Sequence, residues 1–467
     1  MGRVYILTIR ATRITPTIFN PKIRNMERLS SFGRIHRLTT RSSKRAVDFL
    51  STSLVVMLGL VAAITLAYAD DEGRQPGDRD RDQLWVGTWG TSPEAGTTSF
   101  SNQTLRLIVH TSIGGDDVRV RLSNAYGTTS LVIGAAHIAL RSTGAQIIPG
   151  SDRVLTFSGE STIAIPAGAL VVSDPVELGV PALGDLAISV YVPGNTGPAT
   201  FHAEGKQTSY ISPTGDFTGT MAFPIGSTTL SSFFVANVEV KESKEGRAIV
   251  TLGDSITDGT NSTPDTNHRW PNFLADRLQA TPGEQDLGVL DQGISGNRIL
   301  HDIAGTNALA RFDRDVLAQS GVKYVTVLLG INDIGFSGIP GFTDQAVSAD
   351  DIIAGLTQII ERAHAKGLKI FGCTLTPFEG TFPGYYTPAG EIKREAVNEW
   401  LRTSGAYDAV IDFEAAVRDP SHPTRILPAY DSGDHLHPND AGYQAMANAI
   451  DLSLFKHGEE DEKDSTP

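Results

Sequence analysis

A serine at the end of an apolar run is the first residue in this chain that could do chemistry. Ile249-Val250-Thr251-Leu252 leads into Gly253-Asp254-Ser255, and Ile256-Thr257-Asp258-Gly259 follows. An apolar strand that enters a small-residue turn presents a hydroxyl at the mouth of a parallel sheet, although Gly-Asp-Ser is also a common turn sequence. A serine hydroxyl is a poor nucleophile until a base takes its proton. Asp434-His435-Leu436-His437-Pro438 carries the material for that base. One ring nitrogen of His437 can accept the serine proton. The other can be oriented by Asp434, three residues earlier and able to turn back within one loop. Attack on a carbonyl carbon leaves an oxyanion that needs donors. Two further segments offer them, Gln292-Gly293-Ile294-Ser295-Gly296-Asn297 and Gly330-Ile331-Asn332-Asp333. The expected set is the backbone N–H of Ser255, the backbone N–H of Gly296 and the side-chain amide of Asn332. Losing one such donor typically costs about 2.7–4 kcal/mol of barrier.

Rival readings of the same residues are plainer. Asp434, His435 and His437 could hold a metal, but His268, His301 and His422 stand at no ligand-like spacing, so neither metal nor cofactor is expected. Asp333 and Asp254 are expected to hold turns through their carboxylates. The glycines of Gly293-Ile294-Ser295-Gly296 lack the Lys-Ser/Thr that would make them a phosphate cradle. Cys373 lies in an apolar stretch and is expected to be a buried thiol. Trp85 and Trp89 are read as core aromatics. Tyr385, Tyr386 and Phe378, in a Gly/Pro-rich loop, are placed to wall the site.

Two patterns of elements must position these groups. From Leu84 to about Val240 the chain is short and alternating, with strand-like runs such as Val118-Arg119-Val120-Arg121-Leu122 and Leu186-Ala187-Ile188-Ser189-Val190-Tyr191-Val192. Turn chemistries such as Gly114-Gly115-Asp116-Asp117 separate them. This predicts an all-β, jelly-roll-like sandwich. The pattern changes after Lys241-Glu242-Ser243-Lys244-Glu245-Gly246. Strands are predicted at 247-252, 288-292, 322-329, 368-375 and 408-412. Helices are predicted at 270-280, 308-319, 349-366, 388-403 and 439-455. Alternating β-α units predict a five-stranded parallel sheet with helices on both faces, a flavodoxin-like three-layer α/β/α domain. In such a sheet the site lies outside the carboxyl ends of the strands, where all four segments would meet.

In order and spacing, Ser255, Gly296, Asn332 and the Asp434/His437 pair resemble the four blocks of the SGNH, or GDSL-type, hydrolases. The resemblance covers about residues 247-455, and the opening block reads Gly-Asp-Ser-Ile in place of Gly-Asp-Ser-Leu. It implies a serine esterase, lipase or thioesterase with Ser255 as nucleophile. The family's Asp-x-x-His offset is what assigns the base to His437 in preference to His435. The front half, with Val86-Gly87-Thr88-Trp89-Gly90 and Asn102-Gln103-Thr104-Leu105-Arg106, is similar to the β-sandwich of a secreted bacterial subgroup of that family. The expected activity is hydrolysis of carboxylic esters through an acyl-enzyme, with short-chain or carbohydrate-linked acyl esters, or lipids, as substrates. Two alternatives stay open: an acyltransferase on the same triad, and a non-enzymatic carbohydrate-binding protein.

Charge and composition bound the partners and the compartment. The 467 residues have room for two or three domains. Residues 1–50 hold eleven Lys and Arg against two Asp and Glu, yet the whole chain is at -14, so the body is strongly acidic. That argues against nucleic acid as a partner. The basic segment precedes an apolar run, Leu54 to Leu66, and Ala67-Tyr68-Ala69. This reads as a secretory signal cleaved near Ala69, with no stable membrane insertion after its removal and a secreted or periplasmic destination. A translation start at Met26 would shorten an unusually long leader. Cys373 is the lone cysteine, which excludes a disulfide within the chain. The expected organisation is a leader over 1-69, a linker at 70-83, a β-sandwich over 84-240, a second linker at 241-246, the hydrolase domain over 247-457, and a disordered tail at 458-467.

Overall fold

The computed structural model describes residues 85–241 and 246–456. The expected leader, the linker at 70–83, the interior of the second linker and the tail lie outside the described residues.

Period-two burial builds the first half. Its frame is β1 (Trp85–Gly90), β2 (Gln103–His110), β3 (Gly115–Ser123), β4 (Ala135–Leu140), β5 (Val176–Val180), β6 (Asp185–Val192), β7 (Thr200–His202), β8 (Ser209–Thr214) and β9 (Val235–Lys241). One antiparallel sheet runs β1-β9-β3-β5, and a second is centred on β8-β2-β6-β4. Val118, Val120 and Leu122 of β3 share a core with Leu105, Leu107 and Val109 of β2 and with Leu186, Ile188 and Val190 of β6. Every second side chain therefore points into the sandwich, as alternation requires. Trp85 is half-buried, and the Arg119 guanidinium lies 4.3 Å from its ring centroid. The short strand β7 stands in a small separate sheet with Glu94–Ala95 and Ser232–Phe233.

The second half alternates β10 (Arg247–Gly253), α1 (Ser255–Asp258), α2 (Trp270–Gln279), β11 (Leu287–Gly293), α3 (Ala308–Phe312), β12 (Val322–Leu328), α4 (Ile331–Phe336), α5 (Ala349–His364), β13 (Lys369–Cys373), α6 (Pro388–Thr403), β14 (Ala409–Ile411), α7 (Phe413–Val417) and α8 (Asp440–Asn448). The sheet order is β11-β10-β12-β13-β14, and every pairing is parallel. Right-handed crossovers in that order send helices to both faces. Accordingly α2 packs with α8, and α5 with α6. The five-stranded α/β/α architecture is therefore as expected. Two helices differ from their expected extents. The segment 308–319 is a single α turn that continues as a π turn over Asp313–Leu317. The last helix stops at Asn448, and Asp451 starts a separate 3-10 turn by accepting from Ser453 N.

The two halves meet along β11, an edge strand of the parallel sheet. β1 of the sandwich backs onto it so closely that a Cβ at Gly288 would stand 2.1 Å from the Gly87 carbonyl oxygen. Gly87 N donates to Ser320 O at 3.1 Å, and Val289 N donates to Ser112 Oγ at 2.9 Å. Ser112 of the sandwich thus meets a donor that the sheet edge would otherwise present to solvent. One hydrophobic cluster runs without a break from Val118 through Val86 and Leu290 to Ile249.

Candidate active site

The turn after β10 is shaped by what cannot fit there. A Cβ at Gly253 would lie 2.0 Å from Thr257 Oγ1, so the chain can fold back at once into α1. Asp254 caps that helix by accepting from Ile256 N at 3.0 Å, the turn-holding role expected of it. Burial pushes the Asp254 carboxyl up to about 7, with the Asp333 and Asp258 charges adding to the effect against the Ile256 N–H. Ser255 is the first residue of α1 and only 5% exposed.

His437 Nε2 stands 2.8 Å from Ser255 Oγ, and His437 Nδ1 stands 2.7 Å from Asp434 Oδ2. Chain positions 182 residues apart are thus in direct contact. Asp434 is saturated with donors. Its Oδ1 accepts from His437 N at 2.9 Å, Leu436 N at 3.0 Å and Ser432 Oγ at 3.2 Å, and its Oδ2 also accepts from Asn261 Nδ2 at 2.8 Å. Partial burial opposes ionisation, but the His437 ring and these N–H groups outweigh it and hold the carboxyl well below the usual carboxylate range. An ionised Asp434 keeps the proton on Nδ1, which leaves the Nε2 lone pair facing the serine hydroxyl. His435 points elsewhere: its Nδ1 pairs with Asp431 Oδ2 at 2.5 Å on the exposed rim. Asn261 is a supporting residue that sequence reasoning missed. Its sequence signal is faint, since an asparagine a few residues past a turn is unremarkable.

The proposed oxyanion donors come from two other strand ends. Gly296, at φ +79°, follows β11, and Asn332 lies in α4 directly after β12. Asn332 Nδ2 donates to the Asn297 carbonyl oxygen at 3.0 Å, and its Oδ1 accepts from Tyr385 Oη–H at 2.7 Å. A carbonyl can only accept, so this pair of contacts fixes the amide orientation and leaves one N–H of Asn332 uncommitted. Tyr385 was expected to wall the site and instead anchors Asn332 from beneath, fully buried beside Phe378. Asp333 has the structural role expected of it, accepting from Ile299 N at 2.9 Å and Leu300 N at 3.1 Å and so tying α4 to the segment after Gly296. Burial pushes the Cys373 thiol up, consistent with an inert core cysteine.

A buried arginine that the sequence does not single out ties these parts together. Arg311 Nη2 donates to Gly253 O at 2.9 Å, Nη1 to Gln292 O at 2.8 Å and Nε to Asn297 Oδ1 at 3.0 Å. Nη1 also reaches Ser92 Oγ of the sandwich at 2.8 Å. The ends of β10 and β11 and the oxyanion segment therefore share one fork of donors, neutralised by Asp315 at 3.2 Å. Among the described residues no group of three His, Cys, Asp or Glu side chains is placed to hold a metal ion. Likewise, no helix among them is long and apolar enough to cross a membrane.

A cleft of ≈ 360 Å³ opens beside this segment, between Glu94, Tyr126 and Phe201 of the first half and Asp302 to Thr306 of the second. A Cβ at Gly296 would meet the Ala304 Cβ of its wall at 2.8 Å.

Residues 251–445 match the GDSL-like Lipase/Acylhydrolase family. No curated protein matches the chain. Among solved structures, the chain is similar to a GDSL-like lipase from Bacteroides thetaiotaomicron, at 20% identity over 46% of this chain and 90% of that one, with a TM-score of 0.35. It is similar to an acetylxylan esterase from Geobacillus stearothermophilus at 23% identity, over 44% of this chain and 92% of that one, with a TM-score of 0.35. An alpha/beta hydrolase from the metagenome of Lake Arreo, Spain, is similar at 24% identity over 44% of this chain and 93% of that one, with a TM-score of 0.34.

Proposed function

This chain carries a GDSL-like lipase/acylhydrolase domain and is a carboxylic ester hydrolase, and from that premise we propose that it is an exported serine esterase working through an acyl-enzyme on Ser255. The observation that carries the reading is the unbroken line from Ser255 Oγ to His437 Nε2 at 2.8 Å and from His437 Nδ1 to Asp434 at 2.7 Å. Ser255 Oγ attacks the acyl carbon while its proton passes to His437 Nε2. The resulting oxyanion is held by the N–H groups of Ser255 and Gly296 and by the free N–H of Asn332. The imidazolium then protonates the leaving alcohol oxygen as the C–O bond breaks. Water repeats the sequence on the acyl-enzyme, with His437 again the base, and releases the acid and Ser255.

The alcohol part of the substrate is an uncharged, hydroxyl-bearing group, such as an acylated sugar. The cleft beside Gly296 supports this: it is lined by Asp302, whose carboxylate is exposed, with Tyr126 and Phe201. A carboxylate there accepts hydroxyl hydrogen bonds and repels an anionic headgroup. Export is supported by the basic segment and apolar run ending near Ala69. The test is hydrolysis of a short-chain p-nitrophenyl ester by the wild type and by Ser255→Ala. Loss of at least 10³-fold in the folded variant is expected; full activity there would end the acyl-enzyme reading.

A further inference from the structure

His202 belongs to β7 of the sandwich half, yet it reaches into the hydrolase half directly behind the nucleophile. Its Nε2 stands 3.0 Å from Asp258 Oδ1 and its Nδ1 stands 3.0 Å from the Ser92 carbonyl oxygen. Both partners are acceptors: a backbone carbonyl has no proton to give, and Asp258 is already held as an acceptor by its other contacts. A ring with an acceptor at each nitrogen carries a proton on each, so His202 is an imidazolium. The side chains of His202 and Asp258 are 2% and 1% exposed, a buried ion pair across the seam of the two halves. Asp258 closes α1, one turn after Ser255. Its other oxygen, Oδ2, accepts from Ser295 N at 2.9 Å and from Ser295 Oγ at 3.1 Å. The next residue in the chain is Gly296.

We propose that His202 is a positioning residue for the hydrolase: as an imidazolium it holds Asp258, and Asp258 holds Ser295 and with it the N–H of Gly296 at the oxyanion. The proposal rests on the reading that Gly296 is an oxyanion donor. It makes the sandwich half a working part of catalysis, since the imidazolium that holds Asp258 comes from that half. A neutral His202 would leave either Asp258 or the Ser92 carbonyl without its donor. Because the pair is buried, that loss would loosen the loop by the few tenths of an ångström that oxyanion geometry does not tolerate.

The charged groups around the ring set the pH at which the hold is lost. Burial favours the neutral ring, but Asp258 and Glu94, the latter 3.5 Å from Nδ1, overcome it against Arg269 and raise the imidazolium to about 9. Asp291, on β11, faces the same group. Because the folded value is raised, the hold is complete below the ordinary imidazole value and is lost as pH rises through about 9.

The test uses the full chain and a short-chain p-nitrophenyl ester, with Ser255→Ala as the blank for alkaline background. Wild-type kcat should fall on the alkaline side around pH 9 while the fold, followed by circular dichroism, persists. His202→Gln should lower kcat tenfold or more, leave KM within about twofold, and abolish the alkaline limb. Asp258→Asn should have the same effect, and the double variant should be no worse than either single one. A folded His202→Gln with wild-type kcat would overturn the proposal, as would parallel losses in kcat and affinity. Where both variants fail to fold, the wild-type profile decides alone, because kcat flat through pH 10 in folded protein overturns it. Covalent labelling of Ser255 by a fluorophosphonate separates the two levels. Labelled Ser255 with an indifferent His202 removes only this proposal, whereas an unlabelled Ser255 removes the reading beneath it.

Discussion

At the scale of single residues, Asp434 is held more firmly than His437. Asp434 takes five hydrogen bonds from His437, Leu436, Ser432 and Asn261. Its depressed carboxyl stays ionised through the mildly acidic range. Linkage fixes the sign: the stability this carboxylate contributes is present above the free aspartate value and is lost only as pH falls through the lowered one. Mild acid should therefore leave Asp434 ionised and paired, and any activity lost there should return on neutralisation; a pH–rate profile with a return step checks it. Asp434→Asn should cost roughly 10³–10⁴-fold in kcat through the wrong tautomer. Tyr385→Phe removes the donor to Asn332 Oδ1. A buried acceptor left unpaired costs about 1–3 kcal/mol, so a lower melting temperature is expected together with a reduced kcat at nearly constant KM. Wild-type kcat in that variant would show that the Asn297 carbonyl alone orients the amide. Ser255, Asp434 and His437, which the structure brings into contact, were legible because their side-chain types could do chemistry and the family's offset chose between the two histidines. Tyr385, Asn261, Arg311 and His202 were not, because their roles come from contacts such as Tyr385–Asn332 across 53 positions, Asn261–Asp434 across 173 and Arg311–Ser92 across 219, which no local pattern records.

At the scale of elements, the long ones were readable and the short ones were not. The extents of α2, α5 and α6 follow from periodicity and from caps such as Ser348, whose side chain accepts from Asp351 N. Helices α1, α4 and α7 span four to six residues, too few for a period of 3.6 to register. Two of these carry Ser255 and Asn332, so the site sits on the least predictable elements, each pinned by a buried neighbour. The turn into α1 depends on the missing side chain of Gly253. Gly253→Ala forces a methyl against Thr257 Oγ1 and must displace α1. A loss of 1–3 kcal/mol in stability and of at least tenfold in kcat is expected. The double variant Gly253→Ala/Thr257→Ala, which makes room, should recover part of both; no recovery would place the cause elsewhere.

At the scale of the molecule, the change of pattern near Lys241 was legible, but the extent of contact beyond it was not. Alternation and a charged linker suggest two units joined by a tether. In the structure β11 is covered by β1, and one core continues through both halves. Neither strand's sequence states this, since Gly87 and Gly288 have no side chain to betray a partner. Because the halves share that core, calorimetry should show a single cooperative unfolding transition for residues 85–456. Two well-separated transitions would contradict it. Gly288→Ala should lower the stability of the whole by about 1–3 kcal/mol, lowering the one melting temperature without splitting it.

The backbone-to-backbone contact of Gly87 and Gly288 also limits how this protein can be re-engineered. With 2.1 Å between a would-be Cβ and the facing carbonyl, no other residue fits at Gly288 without moving a strand. A chimera that grafts this sandwich onto another hydrolase domain needs a glycine at the matching point of the recipient's edge strand. It also needs a carboxylate where Asp258 stands to meet His202. The two positions work as a key for interchange: a recipient lacking either should yield a fusion that catalyses no better than the recipient alone.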